Sequence, residues 1–139
     1  MFNYNGTNGS YQLSLQEQIV TASFVGAING RMLESFASQL QSIINDSALT
    51  HWGYISNSQR LSAATPDAQQ KMIALAKHMR AHGCQASAFV IDSAIAISQL
   101  DKVRQSLHLE GNTRDIIFSC YDEALRYVKQ QLNPLVLGS

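Results

Sequence analysis

Charge is what this sequence has least of. Only 14% of its 139 residues are charged, and ten acids balance ten bases. Phosphate backbones call for a positive field, so the balance argues against a dominant DNA- or RNA-binding role and no nucleic-acid partner is expected. Such sparse charge also points to a surface partly covered by a protein partner, or by self-association with a second copy. No apolar run approaches the length of a membrane span, so no transmembrane segment is expected. The chain starts without a basic stretch and apolar run, so it is read without a signal peptide and placed in the cytoplasm. Cys84 and Cys120 lie far apart, outside any metal-pair spacing, and read as reduced, packed structural thiols. His78 and His82 are four residues apart but lack the glutamate of a His-Glu-x-x-His site. With His51 and His108 they read as surface histidines, so no metal and no cofactor are expected.

What is present is an ordinary apolar content of 45%, enough for one domain with a core. Tyr11, Leu13 and Leu15 alternate with polar residues and predict a half-buried strand. Ile19 to Ile28 predicts a second strand, with Gly26 as a bulge or a close approach. Leu33, Phe36, Leu40, Ile43 and Ile44 recur at helical spacing over Arg31 to Asn45. Trp52, Tyr54 and Ile55 predict a short strand, with Trp52 and Tyr54 on one buried face. The second helix runs from Thr65 to Ala81, with a stripe of Ala68, Met72, Leu75, Ala76 and Met79. Its start is written in full: Thr65 caps, Pro66 fits the first turn and Asp67 sits at the positive end.

Ala86 to Ile91 is apolar on consecutive positions and predicts a central, parallel strand buried on both faces. A helix over Ile97 to Leu107, a short strand at Ile116 to Phe118 and a last helix over Tyr121 to Leu132 complete the chain. The order is ββαβαβαβα, an α/β domain with a mixed sheet and right-handed crossovers. The domain is expected to span 11–132, with 1–10 and 133–139 as flexible termini.

This order resembles the STAS domain, and more narrowly the SpoIIAA-like family of small bacterial proteins. The strings that carry the resemblance are Val25-Gly26, Thr65-Pro66-Asp67-Ala68, and Phe118 with Asp122-Glu123-Ala124-Leu125. The resemblance implies a small cytoplasmic signalling module that binds a regulatory protein. In the anti-anti-sigma branch it also implies a phosphorylated serine, in an Asp-Ser context, at the start of the second helix. Here Thr65 is the nearest hydroxyl; the Asp-Ser context and its glycine are absent and a proline follows.

The expected function is therefore non-enzymatic regulation through protein contacts, without a clear phosphoacceptor. The expected contact surface comprises Asn57, Ser58, Ser62, Thr65, Asp67, Gln70 and Lys71, around a polar loop and the helix that follows it. The alternative is a small-molecule or lipid-binding module at Asp92 and Ser93, since ligands gather at strand C-terminal ends in open α/β sheets. A hydrolase using Ser93 or Cys120 would need a nearby base, and no histidine is adjacent to either, so no catalytic residue is assigned.

Overall fold

A computed structural model describes residues 2–137. Strands β1 (Phe2–Asn5), β2 (Gly9–Gln16) and β3 (Ile19–Ile28) form an antiparallel ribbon. The expected loose N-terminal tail is thus corrected. Tyr4 lies opposite Tyr11 and their rings stack at 5.5 Å, which anchors β1, where Phe2 and Tyr4 alternate with asparagines. Gly26 has φ +80°, and a Cβ there would run into the Asn8 carbonyl oxygen. Both readings of Gly26 hold, because the sheet register also shifts between Gly26 and Ala27.

Helix α1 (Gly30–Asp46) begins at Asn29, whose side chain accepts from the Met32 N–H at 2.8 Å. It buries Met32, Leu33, Phe36, Leu40, Ile43 and Ile44. Strand β4 (Trp52–Asn57) then pairs in parallel with the first half of β3, and β5 (Leu61–Ala64) with the second half. Leu61-Ser62-Ala63-Ala64 carries no β-branched or aromatic residue, so β5 had no sequence signal. Helix α2 (Pro66–Ala81) returns the chain to β6 (Cys84–Val90), parallel to β4. The sheet order is β1-β2-β3-β4-β6, with β5 beside β3. β3 and β4 are the central strands; β6 ends this path, which corrects its expected central place.

Helix α3 spans Ala94–Ser106, starting before the expected Ile97 because Ser93 caps it. The expected strand at Ile116 to Phe118 shrinks to one bridge, Phe89 to Ile117, after a 3₁₀ turn at Thr113–Ile116. Helix α4 extends over Tyr121–Leu137, beyond the expected Leu132; Gly138 and Ser139 lie outside the described residues.

Two layers of helix cover the sheet. On one face, Tyr11, Phe24, Trp52 and Tyr54 pack with Phe36, Leu40 and the α2 residues Ala68 and Met79. Trp52 and Tyr54 share that face as expected. On the other face, Ile55, Ala88 and Val90 pack against Ala124, Val128 and Leu132 of α4. Burial of these apolar side chains drives the assembly.

Candidate functional site

The residues singled out from sequence meet where β3, β4, β5 and β6 end. β4 leaves β3 before β5 rejoins it, and the break strands the Phe24 N–H. Ser58 repairs it: its hydroxyl accepts from Phe24 N at 3.0 Å and lies 2.9 Å from the Ser56 hydroxyl. Its own N–H donates to the Val90 carbonyl. Ser58 is 1% exposed, so its expected place on a contact surface is corrected: it is a buried brace. Asn57, the last residue of β4, is half-buried, whereas Gln59, Arg60 and Ser62 reach solvent.

Thr65 is the helix cap the sequence announced. Its Oγ1 accepts from Ala68 N at 3.4 Å and donates to Asp67 Oδ1 at 2.6 Å. Its N–H donates to the Ile28 carbonyl at 2.8 Å, which fixes α2 to the end of β3. The Thr65 hydroxyl holds the Asp67 carboxyl below the usual carboxylate range, helped by backbone N–H groups and Lys71. Asp67 also leans over the first residue of α1, where only the bare Cα of Gly30 leaves room for it. Lys71 is engaged with Glu34 at 2.7 Å, which raises its pKa and ties α2 to α1. Gln70 is exposed and lines a shallow groove with Gln69, Lys102 and Gln105 between α2 and α3.

Ser93 belongs to the same place. Its Oγ donates to the Ser62 carbonyl at 2.6 Å and accepts from Ala96 N at 3.2 Å. Gln99 adds a second tie: its side-chain amide accepts from Ala64 N at 2.9 Å and donates to Ala64 O at 2.8 Å. It substitutes for a neighbouring strand along β5. Gln99 was invisible in the sequence because the strand it serves was. Asp92 is exposed beside Ser93. The two candidate sets, Asn57 to Lys71 and Asp92 with Ser93, are therefore one continuous surface, joined by the Ser93–Ser62 bond.

Away from this surface, the His78 and His82 rings stack with centroids 3.9 Å apart. His82 Nδ1 lies 2.8 Å from the His78 carbonyl, and the His82 carbonyl accepts from the Trp52 indole. Among the described residues, no group of three or more His, Cys, Asp or Glu side chains converges. Cys84 is half-buried and burial pushes its thiol up. Cys120 is exposed just before α4, which corrects the expectation that it is packed. Tyr54, deep in the core, has its hydroxyl pushed up strongly by burial, opposed by a hydrogen bond from Ser56.

A cavity of about 670 Å³ lies between α2, α3 and the sheet. Asp92 and Ser93 themselves do not line it, but Ile91 and Ala96, on either side of them in sequence, do. Met72, Leu75 and Ala76 do line it and stay half-buried, which corrects the fully buried stripe expected for α2.

A mixed sheet opened by an antiparallel ribbon, with α1 and α2 on one face and the long C-terminal helix on the other, is a STAS-like fold. Solved structures carry the same fold. An anti-sigma factor antagonist from Mycobacterium paratuberculosis aligns with TM-score 0.61 at 9% identity, over 87% of this chain and 94% of its own. The anti-sigma factor antagonist SpoIIAA in its unphosphorylated form aligns with TM-score 0.63 at 18% identity, over 86% of this chain and 96% of its own. The phosphorylated form of SpoIIAA, described as a Bacillus cell fate determinant, aligns at 0.59 with 18% identity, over 85% and 98%. No protein-family model and no curated protein matches the sequence. At these identities the likeness is one of fold.

Proposed function

We propose that this protein is a regulatory module that acts in the cytoplasm through contacts with another protein, without catalysis and without phosphorylation at Thr65. The observation that carries this reading is the single surface made by β5, the start of α2 and the start of α3. It presents Arg60, Ser62, Gln70 and Asp92 to solvent on a base braced by Ser58, Thr65, Ser93 and Gln99. Two of the proteins with the same fold are described as anti-sigma factor antagonists, which supports a protein as the target. The SpoIIAA forms differ by phosphorylation, but here the Thr65 hydroxyl is spent on Ala68 and Asp67. The Ser93 hydroxyl donates to a backbone carbonyl, not to a base, so it is not poised as a nucleophile. Among the described residues, no helix is long and apolar enough to cross a membrane.

The test is affinity capture from a bacterial lysate with the wild-type chain and with a Gln70→Glu, Asp92→Lys double variant. A protein retained by the wild type and lost from the double variant supports the surface. A Gln85→Glu bait, altered at the opposite end of the sheet, should retain it. Undiminished recovery by the double variant overturns the assignment. Light scattering on the same samples reads out self-association.

A further inference from the structure

We propose that the cavity between α2, α3 and the sheet is a binding site for a single-chain aliphatic carboxylate, such as a medium-chain fatty acid. The site opens away from the partner surface, and the proposal does not depend on that reading. The cavity opens to solvent, and its volume of about 670 Å³ falls in the size range of small-molecule pockets. Its walls include Phe36, Tyr54, Phe89, Met72, Leu75 and Leu100. An apolar lining of this kind makes water a poor filling.

The charged groups gather at one end. Arg80 and Gln85 are exposed lining residues at the end of α2 and the start of β6, and His108 and Glu110 are exposed just beyond α3. Arg104, also lining, is held there by a 2.8 Å hydrogen bond from Nη2 to the Glu110 carbonyl. Two guanidinium groups against one carboxylate give this mouth a positive balance. Arg80 makes no ion pair among the described residues, so its guanidinium is available to an anion. The opposite wall includes Ile28, Leu61, Ile91 and Ala96. From Gln85 to Ile91 the strand covers roughly 20 Å. A long apolar interior with cationic groups at one mouth matches one hydrocarbon chain with one anionic head. This charged mouth lies at the end of β6 opposite to Asp92.

The test uses the intact chain with methyl-labelled methionine and titrates dodecanoate, below its micelle concentration, by NMR. Met72 and Met79 line the cavity and Met32 does not, so the first two methyl signals should shift and that of Met32 should not. Affinity should rise roughly fourfold per methylene from decanoate to tetradecanoate. Dodecanol should bind at least tenfold more weakly than dodecanoate, and Arg80→Glu with Arg104→Glu should abolish that preference. Leu75→Trp, which fills the cavity, should remove binding; if it fails to fold, the wild-type titration decides alone. Unmoved Met72 and Met79 signals, an affinity indifferent to chain length, or equal binding of dodecanol overturns the proposal.

Discussion

The Ser93 hydroxyl donates a 2.6 Å hydrogen bond to the carbonyl of Ser62, tying the cap of α3 to the outer edge of β5. The same oxygen accepts from the Ala96 N–H, so one side chain both starts a helix and holds a strand. Removing it strands a helix N–H and a strand carbonyl together. Ser93→Ala should therefore lower stability by about 1–2 kcal/mol, read from urea unfolding. Asp92→Ala, at an exposed neighbour with no such bonds, should stay within about 0.5 kcal/mol of wild type. Equal effects at the two positions would remove the cap-and-tie role of Ser93.

Ser58 offers a sharper case because its partner is a buried backbone N–H. With the hydroxyl gone, Phe24 N has no acceptor in the break between β4 and β5. Ser58→Ala should cost about 1–3 kcal/mol and speed hydrogen exchange at the Phe24 amide. Partner capture by the folded fraction should be unchanged, since Ser58 is internal. A stable Ser58→Ala variant that loses its partner would restore Ser58 to the contact surface.

Much of this architecture was legible, and the failures share a cause. Helices with strong periodicity, such as the Leu33–Phe36–Leu40 stripe, stood out because burial imposes that spacing. Thr65 was legible because a cap acts locally, on its own helix. β1 and β5 were not, because their pairing is set by partners distant in sequence: Tyr11 for Tyr4, and Ile28 with Gln99 for Ala64. Ser58 looked like loop polarity because nothing in a single sequence marks a missing ladder bond. The cavity was hidden by the same logic, since Met72 and Leu75 have the pattern of any buried stripe.

The two thiols should separate cleanly by reactivity. Cys120 is exposed, whereas Cys84 is half-buried with its pKa raised by burial, partly offset by a hydrogen bond to Ser87. The thiolate is the reactive form. With a disulfide reagent at neutral pH, one thiol should react quickly and the second only slowly, and Cys120→Ser should delete the fast phase. Denaturant should bring both to the same rate. If Cys120→Ser leaves the fast phase intact, the assigned exposures are reversed.

Asp67 links α2 to acid stability. The Thr65 hydroxyl is the chief cause that holds its carboxyl below the usual aspartate range. A carboxyl depressed in the folded state contributes stability above its unfolded pKa, and that contribution is lost as pH falls through the folded value. Thr65→Ala removes the principal cause, so the Asp67 pKa should rise toward the ordinary aspartate range in an NMR titration. Thr65→Ser keeps the hydroxyl and should leave it low. Asp67→Asn should flatten the acid limb of the stability profile in this range while leaving its neutral-to-alkaline slope unaltered. The carboxyl is exposed, so the effect should be small and should shrink further as salt is added. An Asp67 pKa indifferent to Thr65→Ala would show that the 2.6 Å contact does not set the ionisation, leaving the backbone N–H groups at the helix start as its cause.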